Sequence, residues 1–155
     1  MPDLHVTVRP YQPADRQAVL ALAPRLAIGV APWRAPSAVG SAVAGWIQDS
    51  LDHRDDPGHA VHVAVAENEV LGVVTVGERR HFTGEVDAYV GELAVKADCE
   101  RAGVGTLLMR TAERWARDHG LQRLTLETGA ANHAARAFYA RRGYREEDVR
   151  LTKVL

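Results

Sequence analysis

The stretch VGELAVKADCERAGVG, Val90 to Gly105, decides how this chain folds. An apolar strand runs through a short polar turn straight into a helix whose start is spaced by Gly103 and Gly105. A strand that ends this way presents unpaired backbone N–H groups at the positive end of a helix dipole, a ready seat for a phosphate. Glycine at both positions keeps Cβ atoms out of an anion's path. The same G-x-G also suits a plain tight strand-to-helix connection. It is neither a dinucleotide fingerprint nor a P-loop: Met109 and its neighbours fill the place of a third glycine, and no G-K-[ST] follows.

Downstream of that turn, Val104, Leu107, Leu108, Ala112, Trp115 and Ala116 mark the buried stripe of a long helix, which His119-Gly120 stops. Leu124 to Thr128 predicts a strand, Asn132 to Arg142 a helix closed by Gly143, and Tyr144 to Leu155 a terminal strand pair or hairpin. Upstream, Val86 to Val95 predicts a strand after a charged loop from Glu78 to Glu85. Val61, Val63 and Val65 alternate up to a tight turn at Asn68-Glu69, and Val70 to Val76 is β-branched, so these two strands form a hairpin. Leu4, Val6 and Val8 predict a short first strand ended by Pro10. A helix follows from Ala14, with Asp15 near its positive end and Pro24 ending or kinking it. After an irregular connection holding Trp33, a second helix runs from about Ser37, its candidate cap, to Leu51, with Trp46 at a core position. Early hairpins and later strand–helix alternation predict one α/β (α+β layer) domain spanning residues 1–155. Its mixed, mostly antiparallel central sheet would have about six to seven strands, with about four helices on both faces.

Composition bounds the function. At 155 residues, 46% hydrophobic and 25% charged, the chain suits one globular core. A formal net charge of -1 with scattered basic residues gives no footprint for nucleic acid or an anionic membrane. The single Cys99 makes no internal disulfide, and no Cys/His spacing for a metal site occurs. MPDLHVTVRP has no apolar core of signal-peptide length, and no apolar run nears the ~20 residues that span a bilayer, so a cytoplasmic protein is expected.

The segment NHAARAFYARRGY adds a second, more specific pattern. Asn132, Ala135, Phe138, Tyr139, Gly143 and Tyr144 fall in N-x-x-A-x-x-F-Y-x-x-x-G-[FY] spacing. Leu93-Ala94-Val95 gives an L-x-V strand end before Glu100-Arg101-Ala102-Gly103-Val104-Gly105 and Thr106. Together these segments resemble the acyl-CoA binding and catalytic segments of the GNAT superfamily of N-acyltransferases. The resemblance implies the acyl-CoA N-acyltransferase fold, with acetyl-CoA as acyl donor. It implies that loop amides of residues 100–106 hold the pyrophosphate. The strands Gly91 to Val95 and Leu124 to Thr128 would splay apart for the pantetheine arm, with Asn132, Ala135 and Phe138 on the helix bordering it. Tyr139 would then reach the thioester sulfur. Glu100 departs from the family's glutamine or arginine. A carboxylate there would repel a pyrophosphate by about 1 kcal/mol at ~4 Å in water, with Arg101 as the expected compensation.

Transfer to an amine has three requirements. A lysine-like amine, with a pKa near ~10.4, must lose its proton at neutral pH. Glu92 is the first candidate base, with Tyr89 and Glu85 behind it, and an ordinary solvated strand glutamate stands as an equal reading of Glu92. The thioester carbonyl must be polarised, which a free strand N–H near Leu93 to Val95 would do. The leaving thiolate needs a proton, and Tyr139 is the expected donor, uphill by roughly 2 kcal/mol from reference pKa values. The partner is thus an amine-bearing small molecule or peptide. A non-catalytic acyl-CoA-binding module is the alternative, and a generic nucleotide-binding domain a third reading. A homodimer stays open, since the final strand could pair across one. Cys99 reads as a packed thiol, His59 and His62 lie on opposite strand faces, and Trp33 is equally compatible with core packing and substrate contact.

Overall fold

The computed structural model describes residues 4–155; the start of the MPDLHVTVRP stretch, residues 1–3, lies outside them. Five strands form one sheet in the order β1-β2-β3-β4-β5. They are β1 (Thr7–Pro10), β2 (His59–Ala66), β3 (Glu69–Arg80), β4 (Val86–Val95) and β5 (Leu124–Leu126). The first four pair antiparallel and β5 pairs parallel to β4, so the sheet is mixed. Four helices flank it: α1 (Arg16–Leu20), α2 (Pro36–Asp52), α3 (Val104–Asp118) and α4 (His133–Ala140).

The alternation of each strand divides the core in two. Val61, Val63, Val73 and Ala94 pack with Val19, Ile47 and Leu51 under α1 and α2. Ala64, Val74, Val76, Ala88 and Val90 pack with Val104, Leu108, Met109 and Ala112 under α3, where Met109 is buried in place of the expected Leu107. The β2–β3 hairpin turns at Glu67-Asn68, one residue earlier than expected. Both have positive φ, 49° and 66°, the twist that a two-residue hairpin favours and that asparagine tolerates.

Several expectations are corrected. The sheet has five strands instead of six or seven among the described residues: residues 145–155 carry no strand and are exposed throughout. Among the described residues their alternating apolar pattern finds no strand partner. β3 extends to Arg80, because the charged residues Glu78 to Arg80 pair with Asp87 and its neighbours at the sheet's end, leaving only residues 81–85 as loop. Pro10 ends β1 from within, an allowed place because β1 is an edge strand. The helix expected from Ala14 is broken into a 3-10 turn (Pro13–Asp15), α1 and a second 3-10 turn (Ala23–Ala27) that holds Pro24. Asp15 anchors the first of these by accepting two bonds from Arg9, 2.7 and 2.9 Å, and one from the Gln12 N–H at 2.8 Å. Ser37 is no cap; α2 starts one residue earlier with Pro36 in its first turn, where a missing N–H costs nothing. Trp46 is 53% exposed and Trp33 54%, so neither is core.

His62, on the α3 face of β2, is half-buried and its Nδ1 has no partner. Burial lowers its pKa below the ordinary value. The unfolded chain therefore takes up a proton as pH falls through about 6.5, while the folded chain does not until lower pH. Stability should fall with pH across that window. Urea midpoints at pH 7 and pH 5.5 check this, and His62→Leu should shrink the difference between them.

Candidate functional site

The site begins where β4 and β5 stop pairing. Their parallel register runs Ala88–Leu124, Tyr89–Thr125 and Val90–Leu126 and then ends, while β4 continues to Val95 against β3. A gap opens beside Gly91 to Val95. On β3 the partner advances two residues, from Val74 to Val76, while β4 advances three, from Leu93 back to Val90. This bulge at Gly91-Glu92 breaks strict alternation and turns Glu92 to the α2 face, the same face as Tyr89. Lys96 N–H bonds to the Leu71 carbonyl on the β3 side. Alternation then turns the Leu93 and Val95 backbone groups toward the gap.

Glu92 is only 6% exposed, so it is not the solvated strand glutamate of the second sequence reading. Its Oε2 accepts from Ser50 Oγ of α2 at 2.7 Å and from Thr75 Oγ1 of β3, and Thr75 Oγ1 in turn accepts the Glu92 N–H at 2.9 Å. Oε1 takes no hydrogen bond and is not among the sealed polar atoms. Desolvation raises the Glu92 pKa, the two hydroxyl bonds oppose that, and nearby Asp49 adds to it. The carboxyl lines a cavity of about 250 Å³ with Ser50, Thr75, His59, Tyr89 and Arg79. Arg79 stacks over the Tyr89 ring at 4.3 Å and lies 3.4 Å from Glu127. Burial raises the Tyr89 pKa. Glu85 is elsewhere: exposed, 2.8 Å from Arg123, its pKa lowered by a bond from Thr83, and outside the cavity lining.

Tyr139 comes from the other face. Its ring packs on the α3-side core and meets Phe138 and Tyr144 edge-on, with centroids 5.2 and 5.6 Å away. Burial pushes its pKa up to about 12, and its hydroxyl is neither hydrogen-bonded nor sealed from solvent. Asn132 caps α4 by accepting the Ala135 N–H at 3.1 Å, and its Nδ2 donates to the Ile28 carbonyl at 3.3 Å. Beside it, Gly129 lets the 28–31 segment cross closely: a Cβ there would lie 1.9 Å from the Gly29 carbonyl oxygen.

The glycine turn is built as expected, for partly different reasons. Gly103 precedes the first turn of α3 with φ +79°, and open space surrounds it, so its requirement is conformational. A Cβ on Gly105 would lie 3.3 Å from the Phe138 ring, so this glycine admits the aromatic of α4. Leu107 N–H is the first to bond back, to the Gly103 carbonyl, which leaves the amides of Val104, Gly105 and Thr106 without helical partners. Arg142 touches Thr106 Oγ1, lies 3.6 Å over the Phe138 ring, and keeps a buried Nε with no partner. A second cavity of about 400 Å³ lies between α3 and the turn after α4, lined by Thr106, Met109, Arg110, Glu113, Arg141 and Arg142.

The expected compensation for Glu100 by Arg101 is corrected. Arg101 holds a left-handed turn conformation, φ 67°, whereas Arg25 Nη2 pairs with the Glu100 carboxylate. Arg25 Nε also donates to the Val95 carbonyl at 3.0 Å, at the mouth of the gap. Sequence reading missed Ser50, Thr75, Arg25 and Arg142. The only sequence signals for them were a polar residue in an apolar strand at Thr75 and two arginines with no assigned role. Cys99 is partly buried, and burial raises its thiol pKa. Among the described residues no group of His, Cys, Asp and Glu could hold a metal ion.

Residues 28–144 match the family model described as "Acetyltransferase (GNAT) family". The aminoalkylphosphonate N-acetyltransferase of Salmonella typhimurium is 30% identical over 105 residues, 64% of this chain and 66% of that protein. Streptothricin acetyltransferase A of Bacillus subtilis is 32% identical over 95 residues, 60% of this chain and 53% of that protein. The chain thus spans between about half and two thirds of the length of these curated relatives. A putative acetyl transferase from Pyrococcus furiosus superposes with a TM-score of 0.77 at 21% identity, covering 97% of this chain and 100% of that one, a likeness of fold.

Gly105→Ala tests the packing reading of the turn. Its methyl must displace the Phe138 ring, so the chain should lose about 1–3 kcal/mol in chemical denaturation while staying folded. Removing the ring's bulk in Gly105→Ala/Phe138→Leu should return part of that loss.

Proposed function

Because the chain belongs to the acetyltransferase (GNAT) family, we propose that it moves an acetyl group from acetyl-CoA to a small primary amine by direct attack in a ternary complex. The observation that carries this reading is the β4–β5 gap, with a buried carboxyl on one face and an unbonded phenol on the other. Three free amides at the start of α3, with Arg110 and Arg141 lining the cavity between α3 and the turn after α4, suit the phosphates of the donor. Leu93 and Val95 supply strand N–H groups for the pantetheine and the thioester carbonyl.

Glu92 is the proposed base. With Oε2 fixed by Ser50 and Thr75, Oε1 is left to take the ammonium proton, directly or through one water, as the amine enters the 250 Å³ cavity. Tyr139 is the proposed acid. With a pKa of about 12 it stays protonated at any working pH, and stepwise transfer to a thiolate of pKa ~8.5 is uphill by roughly 5 kcal/mol. Proton donation must therefore accompany C–S cleavage. The bonds balance: the ammonium gives one proton to Glu92 and nitrogen then gains the acyl carbon. Sulfur loses that carbon and gains the phenol proton, and the second nitrogen proton passes through solvent to restore the Tyr139 phenol.

Among the relatives, one is named for an aminoalkylphosphonate and another for streptothricin, so acceptor charge differs across this similarity. For this chain the cavity size favours a small amine or the end of a larger one. Thiol release from acetyl-CoA across alkylamines, aminoalkylphosphonates, amino sugars, aminoglycosides and lysine peptides tests the proposal. Release above the amine-free rate with at least one class is expected. Coenzyme A binding without release in any class would favour a non-catalytic binding module.

Glu92→Gln should lower kcat/KM by about 10²–10⁴-fold and abolish the fall in rate that the parent shows as pH drops through the raised Glu92 pKa. Tyr139→Phe should lower kcat by about 10²-fold with the acetyl-CoA Kd unchanged. Glu100→Gln frees Arg25 for the diphosphate and should tighten acetyl-CoA binding by about 2–5-fold, less so at high salt, as measured by calorimetry.

A further inference from the structure

Along the cavity that holds the Glu92 carboxyl, Thr75, Gly77 and Arg79 follow one another on the α2 face of β3. His59 of β2 and Tyr89 of β4 are the register partners of Gly77 on either side. A Cβ on Gly77 would lie 2.8 Å from His59 Nδ1, so the glycine lets the imidazole lie over the strand. Arg79 leans toward the same place. Its cross-strand partner Asp87 is engaged by Arg123 at 2.9 Å, and the Arg79 guanidinium sits instead 4.3 Å over the Tyr89 ring. Among the described residues its carboxylate contact is a long one, 3.4 Å to Glu127, which is largely exposed and outside the cavity lining. Glu78 borders the cavity but alternates to the α3 face of β3, with its carboxyl beside Gly58. The cavity is thus polarised. Glu92, with Asp49 nearby, marks its negative end, and guanidinium and imidazole donors gather around Gly77. One two-residue repeat of β3, about 7 Å, separates the Thr75 level from the Gly77 level.

We propose that the acceptor amine carries an acid group, a carboxylate or a phosphonate, about two to four carbons from its nitrogen, which Arg79 and His59 take while Glu92 receives the ammonium proton. This rests on the acetyl-transfer reading of the same site and adds what lies at the far end of the acceptor. The planar fork of arginine suits either acid, since each presents two oxygens side by side. A diamine of the same length sets a second cation against Arg79. A plain alkylamine leaves the guanidinium with Glu127 alone.

Amines of matched length separate these cases: β-alanine, aminoethylphosphonate, propylamine and diaminopropane. In thiol release from acetyl-CoA, kcat/KM for the better acid should exceed that for propylamine by about 5–20-fold, carried by KM and reduced at high salt, with the diamine poorest. Arg79→Gln should bring the acid-to-propylamine ratio close to one, and Arg79→Lys should restore part of it. Both variants should keep the parent's circular dichroism, because this side chain is 53% exposed. Calorimetry with the same amines reads the preference without turnover. Release from no amine, alongside tighter and Arg79-dependent binding of an acid, would sink the transfer reading and keep this one. A ratio near one in the parent by release, or by binding where nothing is released, would overturn the proposal. A diamine that outruns both acids, or a preference that survives Arg79→Gln, would overturn it equally.

Discussion

Parallel pairing between β4 and β5 ends at Val90–Leu126, and the rest of the site depends on that ending. Strand N–H and C=O groups inside a sheet are normally consumed by the ladder, and leaving them unpaired in a buried place is costly. Here the cost is limited because one side of β4 keeps its full antiparallel ladder to β3, with only the bulge interrupting it. On the other side no strand pairs with Gly91 to Val95, and Arg25 Nε takes the Val95 carbonyl. The glycine turn follows at once, so free strand groups and free helix amides lie in continuous sequence along one path. A long, thin, anionic molecule with amide groups along its length is the kind of ligand that such a path fits.

The bulge has a second effect that pairing alone would not give. Counting outward from Val90 places Glu92 in the α3-side core, whereas the extra residue sends it beneath α2. A carboxyl there meets Ser50 and Thr75, two hydroxyls that stabilise its charged form, within a setting whose desolvation favours the neutral one. The opposing influences leave a carboxyl that is more basic than a solvated glutamate. Thr75 ties the two strands together through the side chain and the Glu92 N–H, so the bulge and the orientation of the carboxyl are fixed by the same contact.

Much of this was legible in the sequence where the signal is local. The spacing of Asn132, Ala135 and Gly143 encodes a cap, its N–H partner and a left-handed stop, and the structure has all three, with φ of 86° at Gly143. The hairpin, α2 and α3 follow from periodicity that spans enough residues to be unambiguous. What was not legible depends on contacts far apart in sequence. Arg25 and Glu100 are 75 residues apart, and Ser50 and Glu92 are 42 apart. No spacing rule links either pair. Trp46 sits at a helical core register yet faces solvent, because α2 buries Val43, Ile47 and Leu51 instead. The terminal strands failed for another reason: Val149 to Leu155 carries a strand pattern, but a pattern names no partner, and no strand among the described residues provides it.

Arg25 shows how a departure from a motif can be absorbed at a distance. A carboxylate at position 100 would repel a diphosphate through space, yet a guanidinium now stands beside it, and the pair presents little net charge. Being bidentate in capacity, that guanidinium also holds the Val95 carbonyl, which ties the segment after α1 to the end of β4. Glu100 is more than half exposed, so water screens the pair and its rupture costs little. A phosphate, with more charge and more acceptor oxygens, competes well for the same fork. If the proposed donor binds here, the glutamate would work against it only by as much as it holds Arg25, and the backbone amides of the helix start would be the main grip.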